Sequence, residues 1–214
     1  MTGFDARSPA AWIYWFLKIF TLVQLVGLMF VPLDWVLWAM HLERDWLVHD
    51  LGPPAAAWVV RHGTALFEVL VVDTGLRHWA DVFLYRPTQP GDAFAGLEVW
   101  IVPYIVNRFE IVFIWLATVC QRLFLLLAWL PFLMLLAVPA LVDGHMAWRK
   151  LRHGFDFSSP ILHRWTIEIV KVGVALLAVV LVSPFPVPPG YAPLACLVAA
   201  FSIMAIPRTL MKQV

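Results

Sequence analysis

The sequence predicts an all-α protein that crosses a membrane four times, with amphipathic, interfacial helices in the long segment between the first and second crossings. Three observations lead there. Residues 123–142 (LFLLLAWLPFLMLLAVPALV) run for twenty positions without a charge, and wound as a helix they match the roughly 30 Å hydrocarbon layer of a bilayer. The chain is 62% hydrophobic and 14% charged, with a mean hydropathy of +0.83, whereas soluble domains are about 45–50% apolar and about 25% charged. Twelve tryptophans suit the headgroup layer, where an apolar ring and a polar N–H are both satisfied.

The elements follow in chain order, and the whole chain, 1–214, reads as a single multi-pass domain. Residues 10–33 form the first span, opening on Trp12, Tyr14 and Trp15, with Lys18 near enough to an end to snorkel. This stretch is too long for the apolar part of a cleavable signal, so an uncleaved span is expected. Residues 35–50 (WVLWAMHLERDWLVHD) mix tryptophans with charges and read as an interfacial helix. In 55–72, Arg61, Thr64 and Glu68 share one stripe of an otherwise apolar helix, fit to pack on other helices or on the membrane surface. Residues 81–96 read as a loop on their Pro and Gly content.

Residues 97–120 begin another apolar helix, interrupted by Asn107, Arg108 and Glu110. Its last part, 111–120, is expected to prolong the second span outward. A span over 111–131 is the rival, but it buries Arg122, and a charge at mid-membrane costs at least ~2.5 kcal/mol. The second span is therefore placed at 123–142 with Arg122 at its outer boundary. The third is 167–182 and the fourth 191–206, joined by the link SPFPVPPG, whose prolines and glycine suit a tight turn.

Charge orients these spans. The termini and the 143–166 loop, with Lys18, Glu168 and Lys171 of the adjoining spans, carry nine basic residues against four acidic ones, while 34–122 holds six basic and ten acidic. The positive-inside rule places both termini and the 143–166 loop in the cytoplasm, and segment 34–122 outside. The net charge of +1 excludes the basic footprint of a nucleic-acid-binding protein.

Catalytic, cofactor and metal motifs are absent from the pattern. Among seven histidines, His41 and His49, like His145 and His153, stand eight apart, which is not the spacing of a helical metal site, and there is no HExxH or CxxC. Cys120 and Cys196 lie in apolar surroundings and read as small core hydrophobes. No serine sits in a GxSxG elbow, and no glycine-rich phosphate loop exists. Ser159 and His163 suggest a nucleophile and base, but Ser158-Ser159-Pro160 is explained more cheaply as the start of a helix, with serine capping and proline at the first position. Arg108 with Glu110, and Glu168 with Lys171, read as boundary ion pairs; a transport path lined by these four residues is the alternative. Pro131 and Pro139 read as tolerated kinks.

After residue 142 the chain turns at once into DGHMAWRKLRH. Asp143-Gly144 is expected to end the second span, with the glycine as C-cap. Trp148, Arg149, Lys150 and Arg152 then form a basic, aromatic-bearing surface for anionic lipid or an acidic partner, or simply a positive-inside anchor. Residues 122–171 combine Leu130-Pro131, Val142-Asp143-Gly144, the basic RKLRHG and a serine, Ser159, four residues before His163. This stretch resembles the integrating conjugative element membrane protein family. The resemblance implies a non-enzymatic inner-membrane component of a conjugative, type IV secretion-like apparatus, with the coupling ATPase and other membrane subunits as partners. It directs attention to Asp143, Gly144, Trp148, Arg149, Lys150, Arg152, Ser159 and His163 as docking residues.

Overall fold

The computed structural model describes residues 11–84, 95–153 and 160–209. Every regular element among them is helical. Helix α1 is Ala11–Leu28, α2 Leu33–Leu51, and α3 Pro53–Phe67, which runs on as a π-helical turn over Glu68–Asp73. Helix α4 is Leu76–Leu84, α5 Ala95–Ala128, α6 Leu130–His153, α7 Pro160–Val182 and α8 Tyr191–Thr209. This is an all-α membrane protein: Pro53–Asp73, Ile101–Ala128, Leu130–Lys150 and His163–Val182 are each long and apolar enough to cross a bilayer, and α1 with α2 form a further candidate bent by 119°.

The breaks have local causes. Pro32, extended at φ −65° and ψ 147°, separates α1 from α2. Gly52 ends α2 and begins α3 at φ +81°, a region that a side chain disfavours. Two prolines then open α3, where missing N–H groups cost nothing. The apolar run 123–142, expected as one span, is divided: 123–128 belong to α5 and 130–142 to α6. Pro131 explains the break, because its ring collides with the carbonyl four residues back and it cannot donate. Trp129 bridges the gap, its N–H bonded to the Leu126 carbonyl at 3.2 Å and its carbonyl to the Leu133 N–H at 3.0 Å.

Two other expectations change. Helix α4 takes in Asp81–Leu84, which the Pro and Gly content had assigned to a loop, while 85–94 lie outside the described residues. Helix α6 does not stop at Gly144 but continues to His153, so the first part of the basic segment is a rigid helix.

Contacts group the chain into two compact units. One comprises Met1–Leu22, Leu126–Val182 and Pro189–Val214; the other comprises Val23–Leu125 and Ser183–Pro188. In the first, α8 packs closely on α6. A Cβ on Gly144 would lie 2.8 Å from the Met204 carbonyl oxygen and 3.3 Å from its Cα, so the missing side chain is what admits α8. Cys196 points its thiol at the Trp129 carbonyl, 3.8 Å away.

The second unit has a core of its own. Leu28, Val36 and Ile111 form one cluster and Val71, Ala80 and Phe113 another. Burying a side chain such as Ile111 contributes about 1.5–3 kcal/mol. Helices α3 and α5 meet backbone to backbone, since a Cβ on Gly63 would lie 2.7 Å from the Gln121 Cα. The two cysteines, Cys120 in this unit and Cys196 in the other, are buried and free. A membrane-impermeant maleimide should therefore label neither in the folded protein and both after denaturation, a difference readable by mass spectrometry.

Candidate docking helix and buried ion-pair clamp

The docking residues read from the sequence fall on two helices of the first unit. On α6, His145, Trp148, Arg149 and Arg152 recur at i, i+3, i+4 and i+7, so they share one face. Arg149 and Lys150 are exposed and Trp148 is half-buried, its ring 5.5 Å from that of His145. Asp143 is exposed one turn earlier, and Gly144 is buried beneath α8. Arg152 lies on the helix; its side chain is outside the described residues, as is Ser159 altogether. Helix α7 begins at Pro160, and His163 is half-buried in its first turns. The structure thus gathers the α6 residues on one helix. Gly144 serves packing and not a helix end.

The ionisable residues near the spans resolve differently from expectation. Glu168 and Lys171 do pair, Nζ to Oε1 at 3.3 Å, and the Tyr14 hydroxyl faces the same carboxylate. Arg108 does not pair with Glu110. Its Nη1 donates to the Val31 carbonyl at 2.6 Å, and its guanidinium stacks over Tyr104, 4.6 Å from the ring centroid. Tyr104 donates to the Met29 carbonyl at 3.2 Å. These two carbonyls are left over where α1 ends, so the arginine and tyrosine stabilise the bend. Glu110 instead meets Arg77 at 3.5 Å.

The strongest polar constellation was not foreseen. Arg122 is only 3% exposed. Its Nε donates to Glu43 Oε2 at 3.3 Å and its Nη2 to Glu43 Oε1, a forked pair. Nη1 also donates to the Ser183 carbonyl at 2.5 Å and Nη2 to the Phe185 carbonyl at 2.7 Å. Glu43 Oε1 accepts from the Val187 N–H at 2.8 Å. The Ser183 hydroxyl accepts from the Phe185 N–H and from Gln24 Nε2, each at 3.3 Å. All these residues belong to the second unit.

The sequence of the link explains why an arginine is needed. In SPFPVPPG, Pro184, Pro186, Pro188 and Pro189 lack N–H groups, so carbonyl acceptors outnumber donors in a stretch with no helix to pair them. Arginine offers five donors and no acceptor. The guanidinium supplies the missing donors, and Glu43 neutralises it while taking up a link N–H. Trp35 closes the arrangement, its ring edge-on to Phe185 at 5.7 Å. This arrangement is a clamp on the link backbone. Among the described residues no three His, Cys, Asp or Glu side chains converge as a metal requires.

Long apolar helices, a charge pair satisfied inside the protein and a basic helix end define a polytopic, all-α membrane protein. The chain belongs to the DtrJ-like family: the family model described as IncC plasmid conjugative DNA transfer protein DtrJ-like matches residues 38–208. It is thus a conjugation-associated protein with a role in conjugative DNA transfer. The stretch 122–171, which resembles conjugative-element membrane proteins, lies wholly within the matched residues. Comparison with curated proteins and with solved structures finds no match.

Proposed function

We propose that the protein is a non-enzymatic inner-membrane subunit of a type IV secretion-like conjugative apparatus, encoded on an integrative conjugative element or plasmid. It acts by contact with other membrane subunits and binds no nucleic acid itself. The family match over residues 38–208 carries this reading. In this topology α1, residues 123–142 across the α5–α6 break, α7 and α8 cross the bilayer, both termini are cytoplasmic, and 34–122 is periplasmic. Burial supports that choice among the apolar helices. The windows in Pro53–Asp73 and Ile101–Ala128 are 28% and 33% buried, against 6% and 11% for Leu130–Lys150 and His163–Val182. A helix that buries more of its apolar residues within its own unit gains less from lipid than one that leaves them exposed.

The finer part of the reading is that the α6 projection docks the coupling ATPase. A rigid helix bearing Trp148, Arg149, Lys150 and Arg152 offers cations on a fixed frame to an acidic surface, without the ordering cost of a loop.

Deleting the gene from a transfer-competent element should lower transfer frequency by orders of magnitude, with recovery on complementation; unchanged transfer overturns the reading. Reversing charge at Arg149, Lys150 and Arg152 should abolish co-purification with the ATPase at unchanged membrane levels. Intact co-purification removes the docking role alone. A reporter fused after Lys150 should be active only on the cytoplasmic side.

A further inference from the structure

The interfacial helix expected at 35–50 is α2, yet α2 turns Val36, Ala39 and Leu47 into the core of its unit and commits Glu43 to the clamp. Helix α4 behaves differently. Its Ala80 is buried against Val71 and Phe113, and Arg77 is held by Glu110. Leu76, Trp79 and Val82, spaced at i, i+3 and i+6, stand 49%, 61% and 60% exposed. Asp81 lies on the opposite side of the helix from Trp79, whereas His78, one turn before Val82, borders the stripe. The apolar stripe also does not end with α4. The π-helical turn before it exposes Val69, Leu70 and Val72, and exposed Asp73, then Thr74 and Gly75, the latter at φ +75°, stand between these and Leu76.

We infer that this surface, with Trp79 at its centre, lies in the lipid headgroup layer, so that α4 is an in-plane membrane-binding helix. A short helix with an aliphatic and tryptophan side and a polar side is suited to the boundary between acyl chains and headgroups. Trp79 fits the layer that its ring type favours. The same chain holds membrane-spanning helices. Covalent tethering to them raises the effective concentration of lipid at this surface, so a stripe of modest area suffices. This inference concerns the purified protein and lipid, and does not depend on any role in DNA transfer.

The test uses full-length protein in phosphatidylethanolamine–phosphatidylglycerol nanodiscs, with Cys120 and Cys196 replaced by alanine and single nitroxide labels introduced through Leu76→Cys, Trp79→Cys, Val82→Cys and Asp81→Cys. Collision rates are measured with oxygen, which concentrates in lipid, and with a water-soluble nickel chelate. The oxygen-to-nickel ratio at 76, 79 and 82 should exceed that at 81 severalfold. Equal ratios at all four positions place the stripe in water and overturn the inference. Shielding of 76, 79 and 82 from both reagents overturns it too, by assigning the surface to a second copy of the chain. Should Trp79→Cys fail to fold, positions 76 and 82 carry the same comparison.

Discussion

Arg122→Ala should destabilise the protein by about 3–5 kcal/mol, the scale seen when one partner of a buried pair is removed and the other stays charged. Three groups are stranded at once: the Glu43 carboxylate and the carbonyls of Ser183 and Phe185. Glu43→Ala should cost a similar amount, because it strands the guanidinium and the Val187 N–H. The double alanine variant should cost much less than the two single losses added together, since the remaining charge is then gone. Replacing both by apolar residues, Arg122→Met with Glu43→Leu, should still fall short of the parent. Each unpaired buried backbone group in the link costs about 1–3 kcal/mol, and methionine donates nothing. Arg122→Lys should rescue only in part, because an ammonium does not reproduce the forked geometry. Thermal unfolding in a mild detergent, run as a double-mutant cycle, reads all of these. A loss below about 0.5 kcal/mol for Arg122→Ala, the scale of an ordinary surface change, would show that the clamp holds nothing.

Gly144→Val is the second large effect. The first atom of any side chain there meets the Met204 backbone, 2.8 Å from its carbonyl oxygen, so α8 must move away from α6. Overpacking of this kind typically costs 1–3 kcal/mol. The obstacle is backbone, so trimming Met204 to alanine should not rescue Gly144→Ala; rescue would show that side-chain crowding was responsible. The measured quantity is again the unfolding midpoint, with retention in the membrane fraction as a second readout. If Gly144 served only as a helix cap in a docking loop, Gly144→Ala would leave stability nearly unchanged.

Much of the helical organisation was legible in the residues. The bounds of α7 and α8, the non-helical link between them and the Glu168–Lys171 pair all follow from prolines, apolar length and i, i+3 spacing. The errors are instructive. Asn107, Arg108 and Glu110 suggested an interruption, yet α5 runs through them, because Arg108 and Glu110 find partners outside their own helix in Val31 and Arg77. Asp143-Gly144 resembled a helix end, but glycine is equally what a close helix crossing requires, and local sequence does not separate the two uses. For Arg122 a signal was present: a lone charge after a long apolar stretch demands a carboxylate, and a link with four prolines demands donors. Neither need names Glu43, seventy-nine positions away.

Composition, apolar length and the placement of charge therefore determined by themselves that this is an all-helical membrane protein with a basic projection after residue 142. These are properties of segments, set by what each stretch of twenty or so residues gains in lipid or water. Only the tertiary structure decided that Arg122 is locked to Glu43 and the link, that Gly144 is a contact point and that α4, not α2, keeps an apolar stripe outward. Those outcomes depend on which distant side chains share a low-dielectric space, where an unmatched charge or donor costs more than a local preference contributes.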